Sequence, residues 1–279
     1  MICTKIQGVW YMGMVKKSEF EQSDPHFPIF VNKTGQAPIL LVCEHASNHI
    51  PEQYKNLGLS EDVLRSHVAW DPGAHDVACR LAHLLDAPLI AGSVSRLLYD
   101  CNRPPTALDA IPEKSEIFEI PGNQMLGTAD RQLRAENIYE PFRAATNNFI
   151  AGAENLKAVI TLHSFTPVYN GVPRIVDVGI LHDEDSRLAT ALCDAGQQAS
   201  ELNVQLNEPY SPKDGVTHTL VELGIKNGLL NVMIEMKNSL VSKPSEIDEM
   251  SDRLAQWIKT ALGELGVSLS GGDDHAPLC

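Results

Sequence analysis

No two cysteines are spaced C-x-x-C, and the six that occur are scattered. That excludes a zinc ribbon and a dense disulfide framework, and leaves reduced thiols as the expectation. No stretch approaches the ~18 apolar residues of a membrane span. Positive charge is scarce: 22 Lys and Arg stand against 36 Asp and Glu in 279 residues, a formal net charge of -14. Such a balance argues against a nucleic-acid surface and against an anionic membrane face. An anionic ligand would need a local cluster of Arg or Lys. The sequence also lacks GxGxxG, a GK[ST] phosphate loop, a GxSxG elbow and an HExxH helix, so nucleotide binding and serine hydrolysis have no motif behind them. The first 28 residues do not follow the order of a signal peptide and read as a peripheral extension. Residues 267–279 read as a flexible tail. With the scattered cysteines, this makes cytoplasmic placement the expectation.

What is present is an alternation of apolar runs and helical patterns. Strand-like runs lie at 39–43, 88–95, 158–163, 176–181, 203–207 and 230–236. Helical periodicity marks "SEDVLRSHVAW" with Ser60 as its cap, Ala74 to Leu85, a long segment from Thr128 broken or kinked at Pro141, "EDSRLATALCDAGQQA", and a last helix capped by Ser245. Alternating strands and helices imply one α/β domain over 29–266, its central sheet mostly parallel or mixed, with helices on both faces. The Pro-rich stretch 104–127 interrupts that rhythm and reads as a lid-like excursion.

Polar residues gather at the ends of these runs. His45 follows the first and His163 ends "AVITLH"; "SRLLYDCNRP" carries Arg96, Asp100, Asn102 and Arg103; "AWDPGAH" carries Asp71; Glu235 sits inside the apolar "LNVMIEM". A catalytic zinc takes about three N or O ligands, typically two His and a carboxylate, and keeps a position open. His45 and His163 can converge above a parallel sheet, with Asp71 as the carboxylate and Glu44 and Asn48 as the alternatives. Spacing alone favours a different role for Asp71, as the cap of the helix that starts at Pro72. Burial would raise the proton affinity of Glu235 and suit it to general-base work, unless Arg96 pairs with it in a structural ion pair. The two arginines near Asn102 suit a substrate carboxylate. His218 and Glu222 stand at i, i+4 on a predicted helix, where they form either ligands or a solvated pair.

At "CEHASNHIP", "WDPGAHDVACRLA", "VSRLLYDCNRP", "TLHSFTP" and "VMIEMKNSL" the chain resembles the N-formylglutamate amidohydrolase family. The resemblance runs from about Pro38 to Leu262. It implies a three-layer, zinc-carboxypeptidase-like fold, a zinc or other divalent metal cofactor, and hydrolysis of N-formyl-L-glutamate to formate and glutamate. By that likeness His45 and His163 are metal ligands and Glu235 is the general base. By the same likeness Asn102 and Arg103 bind the substrate's carboxylate, and Arg96 polarises the scissile carbonyl or binds a second carboxylate; His218 is a further candidate for substrate binding. The chain departs from the pattern at Asn48, where an HxxE motif has Glu, and at Lys237, where Arg is frequent. Two further readings are another N-acylamino acid or peptidoglycan-like amide as substrate, and a non-catalytic anion-binding α/β protein.

Overall fold

A computed structural model describes residues 2–6, 9–13 and 28–269. Its main elements in chain order are β1 (Ile29–Val31), β2 (Ile39–Cys43), α1 (Ala74–Leu84), β3 (Leu89–Ala91), α2 (128–152), β4 (Ala158–Phe165), β5 (Val178–Leu181), α3 (Arg187–Ala199), β6 (Val204–Leu206), β7 (Leu230–Lys237) and α4 (Pro244–Glu264). The strands make one seven-stranded sheet in the order β6-β5-β7-β4-β2-β3-β1. The four middle strands, β7, β4, β2 and β3, are parallel. β1 joins β3 and β5 joins β7 in antiparallel fashion. The carboxyl ends of all four middle strands therefore meet along one edge, where crevices in such sheets form.

Parallel strands buried on both faces have no polar side to show, so β2 and most of β4 read as unbroken apolar runs. Ile39, Leu41 and Cys43 of β2 enter a core with α1, α3 and α4. Leu40 and Val42 enter a second core with α2 on the other face. This is the three-layer α/β architecture that the sequence implied. In β4, Ile160 and Leu162 belong to the first core and Val159 to the second, so alternation puts His163 on the α2 side. In β7, Val232, Ile234 and Met236 enter the first core, which leaves Glu235 on the same side as His163. The parallel register sets Glu235 directly beside His163.

Several expectations are corrected by the packing. The helix expected across "SEDVLRSHVAW" is one turn, Glu61–Arg65, and Ser60 makes no side-chain cap bond. The strand expected over 88–95 stops at Ala91. α2 runs through Pro141 because a π-helical turn, Ala135–Tyr139, precedes it and loosens the ladder where the proline ring would clash. α4 is capped at Lys243, whose backbone N–H donates to Glu246 at 3.1 Å, and Ser245 lies inside the helix. Val267 and Leu269, at the start of the expected tail, pack against the first core; 270–279 lie outside the described residues, as does most of the 1–28 extension. None of the described helices is long and apolar enough to cross a membrane.

Gly92 shows how tightly the edge beside the site is built. Its N–H donates to the Cys43 carbonyl at 2.9 Å, and a Cβ there would lie 2.1 Å from the Glu44 carbonyl oxygen. Gly92→Ala must push apart the ends of β2 and β3. Overpacking of this kind costs about 1–3 kcal/mol, or roughly 2–10 °C in Tm for a domain of this size. Gly152→Ala, which meets nothing within 4 Å, is the matched control and should leave thermal unfolding unchanged or slightly raised.

Candidate metal centre

His45 stands two residues beyond β2, His163 is in β4, and Asp71 lies in the turn before α1, its N–H bonded to the His45 carbonyl at 3.0 Å. Three of their atoms form a triangle. His163 Nδ1 is 3.0 Å from Asp71 Oδ2 and 3.2 Å from His45 Nδ1, and His45 Nδ1 is 3.3 Å from Asp71 Oδ2. All three residues are buried. Among the described residues, this is the group of His, Cys, Asp and Glu that can hold a metal ion.

The opposite ring nitrogens show which way the imidazoles face. His45 Nε2 meets Asp100 Oδ1 at 2.7 Å, and His163 Nε2 lies 3.1 Å from Glu44 Oε2. An ionised carboxylate only accepts, so Nε2–H faces a carboxylate in each ring; with an ion in the triangle Nδ1 would offer its lone pair, and without one it donates to Asp71. The Glu44 contact is close but out of line, leaving both Glu44 oxygens without a well-aligned partner. Donor atoms around a tetrahedral ion with bonds of about 2.0–2.1 Å lie about 3.3 Å apart. The triangle fits one face of such a shell.

Charge favours a cation in the same place. Glu44, Asp71, Asp100 and Glu235 are all buried, and the guanidinium of Arg96 is the cation inserted among them. Its Nη1 donates to Asp71 Oδ1 at 3.2 Å and its Nη2 to Asp100 Oδ2 at 3.0 Å. Burial pushes the Asp71 carboxyl upward, but the charge of His45, hydrogen bonds from both histidines and Arg96 outweigh it and hold the group well below the carboxylate range. Asp100 is likewise held low, burial being overcome by His45 and Arg96. Burial and Arg96 press His45 down, yet Asp100 and Asp71 leave it raised. Around His163, burial is overcome chiefly by Glu44.

Glu235 behaves differently. Its Oε2 has no hydrogen-bond partner among the described residues, and burial lifts its carboxyl to about 7. Arg96, the ion-pair partner that the sequence offered for it, is taken by Asp71 and Asp100.

Other expected roles fare unequally. Asp71 is no helix cap: the cap position is Gly73, and the Asp71 carboxylate also accepts from the Ser164 N–H at 3.3 Å. Asn48 donates to the Leu64 carbonyl at 2.9 Å and stands outside the triangle. Both ends of the Asn102 amide are engaged by backbone, Nδ2 with Val216 O at 2.6 Å and Oδ1 with Thr219 N at 3.0 Å. Arg103 lines the cleft, with its Nε donating to Asp109 at 2.8 Å. His218 does not line it; its chain segment packs toward α2, where Nε2 meets the Tyr139 hydroxyl at 2.8 Å. The roles of Asp100 and Glu44 behind the ring nitrogens escape sequence reasoning, although both stand within quoted motifs. Arg174 and Tyr210 carry no sequence signal.

The triangle and Glu235 open into a cleft of about 340 Å³. One wall comes from the 104–127 excursion, through Asp109, Pro112 and Lys114 to Glu116, and is tied down by a 2.7 Å bond between His67 Nε2 and Glu116. Phe165, Tyr169 and Tyr210 also line the cleft.

A family model for N-formylglutamate amidohydrolase matches residues 37–242. A crystal structure of a gene product from Agrobacterium tumefaciens superposes with a TM-score of 0.84 at 47% identity, covering 86% of this chain and 96% of that one. An N-formylglutamate amidohydrolase from Ralstonia eutropha superposes with a TM-score of 0.59 at 18% identity, covering 87% of this chain and 100% of that one; that likeness is one of fold. No curated protein matches the sequence.

Proposed function

The chain belongs to the N-formylglutamate amidohydrolase family, and from that premise we propose a metal-dependent amidohydrolase acting on a small acidic N-acyl amide, N-formyl-L-glutamate first. The observation that carries the metal is the triangle of two Nδ1 atoms and one carboxylate oxygen, with an unpartnered Glu235 beside it. His45, Asp71 and His163 would hold the ion, zinc by the donor set. When bound, it supplies the Lewis acidity that activates water and the acyl carbonyl.

The chain's own groups do the rest. Asp100 fixes the His45 imidazole through a hydrogen bond, and the buried Glu44 carboxylate faces His163 Nε2. Arg96 bridges Asp71 and Asp100, a geometry that supports holding those carboxylates in place rather than polarising a carbonyl. Glu235 Oε2 accepts a proton from the attacking water and returns it to the departing amine nitrogen, work suited to a carboxyl near 7. Arg103, whose partner Asp109 is largely exposed, and Lys114 supply positive charge at the cleft for the substrate's carboxylates. The volume of about 340 Å³ stands near the lower end of ligand sites, roughly 300–1,000 Å³, and favours a single small N-acylamino acid over a peptidoglycan-like amide.

The deciding experiment is hydrolysis of N-formyl-L-glutamate by chelator-stripped protein, with and without one equivalent of zinc. Turnover that vanishes on stripping and returns with zinc is the expected result. Zinc uptake without turnover discards the substrate, and no uptake discards the metal.

A further inference from the structure

Just beyond β4, where Tyr169 lines the cleft, residues Val168–Tyr169 and Val172–Pro173 form a short antiparallel hairpin. Its turn is Asn170-Gly171, both with positive φ. Such a pair suits a tight two-residue hairpin turn. The hairpin closes at its base where the Arg174 N–H donates to the Pro167 carbonyl at 2.8 Å.

The Arg174 guanidinium lies over three rings, 4.7 Å from the centroids of Tyr169 and Tyr210 and 5.4 Å from that of Phe165. Those three rings line the cleft. Among the described residues no carboxylate pairs with Arg174. Its Nη1 donates instead to the Tyr210 hydroxyl at 2.9 Å and to the Thr166 carbonyl at 3.4 Å.

A guanidinium has no acceptor, so the tyrosine oxygen accepts in the Arg174 bond and its own hydrogen remains to be given. No acceptor among the described residues takes that hydrogen. Burial and the nearby charge of Glu235 push the phenol up to about 12, so it stays a donor at neutral pH. Three rings around the guanidinium restrict where it can lie and so the direction from which it approaches Tyr210.

Resting on the amidohydrolase reading, we propose that Arg174 is a positioning residue, clamping Tyr210 so that its hydroxyl donates to an anionic oxygen of the substrate in the cleft. Tyr210 is then the group that touches substrate, and Arg174 acts only through it. The ligand chemistry is a carboxylate of the acidic N-acyl amide.

The test compares wild type, Tyr210→Phe, Arg174→Ala and the double variant, all zinc-loaded, by turnover of N-formyl-L-glutamate and by titration with glutarate. Each single change should cut kcat/KM roughly 10- to 100-fold, the worth of one hydrogen bond to a charged group. The loss should fall mainly in KM, with zinc stoichiometry unchanged. The double variant should be within about twofold of Arg174→Ala, because both changes remove one interaction. Added guanidinium ion should restore part of the activity of Arg174→Ala and none of Tyr210→Phe. Full activity in Tyr210→Phe, or losses that multiply in the double variant, overturns the proposal while leaving the reaction standing. If wild type does not turn over the substrate, the reaction is discarded and glutarate affinity decides. The same pattern of losses then supports the clamp, and equal affinity in all four proteins overturns it.

Discussion

Replacing His163 by alanine is expected to abolish stoichiometric zinc binding at micromolar protein and to bring amide hydrolysis down on the order of 10⁴-fold or to the buffer rate. Water has a pKa near 15.7 in bulk and about 7 on zinc, so losing the ion removes the nucleophile at neutral pH. The change also strips Glu44 of its nearest cationic partner, 3.1 Å away. Breaking a buried pair by deleting one member costs about 3–5 kcal/mol, so thermal unfolding must be measured beside metal content. Asp71→Asn separates the two effects. It keeps the side-chain volume and removes the charge that His163, His45 and Arg96 surround, so zinc should again be lost. Asp100→Asn acts from the far side of His45 and on Arg96, without removing a triangle atom, and should cost roughly 10- to 100-fold in metal affinity, with occupancy regained at higher zinc. Elemental analysis after dialysis reads all three. Full zinc retention by both His163→Ala and Asp71→Asn would remove the triangle as the metal site.

The parts of this arrangement legible in the sequence are those with a local signature. β2, β4 and β7 stand out because burial on both faces writes a continuous apolar run, and His45, His163 and Glu235 stand out as polar residues that break or end those runs. β1 is three residues at the sheet's margin, with Phe30 exposed, and leaves no such trace. Asp71 is ambiguous for a physical reason: an Asp before Pro-Gly and a helix fits a cap, and only the return of the chain against β4 turns its carboxylate toward His163. The roles of Asp100 and Glu44 depend on which ring nitrogen each one faces, and no spacing encodes that. His218 stands elsewhere because its own segment is pinned to the Asn102 amide through Val216 and Thr219, and its ring meets Tyr139 of α2. The bond from Arg174 to Tyr210 spans 36 residues and has no periodicity to betray it.

Glu235→Gln is expected to lower kcat by about 10²- to 10⁴-fold, the range of a general base, while zinc stays bound at wild-type stoichiometry. Glutamine keeps the shape and removes only the ability to take a proton. The pH profile adds a sharper check. Burial raises this carboxyl to about 7, and the base must be ionised to work. Wild-type kcat/KM should therefore fall tenfold per pH unit on the acid side of the limb. A divalent cation beside the carboxylate favours its ionised form, so in the loaded enzyme that limb should lie at or below about 7. In Glu235→Gln it should disappear, leaving a low, flat profile. Stability supplies an independent reading in the stripped protein. A carboxyl whose folded pKa lies above its unfolded value binds more protons when folded, so it subtracts stability as pH rises from the unfolded value to about 7. Glu235→Gln removes that penalty, and its Tm relative to wild type should be higher at pH 8 than at pH 5. An unchanged kcat with zinc in place would take the base role from Glu235. An unchanged pH dependence of Tm would show that its carboxyl is not raised by burial.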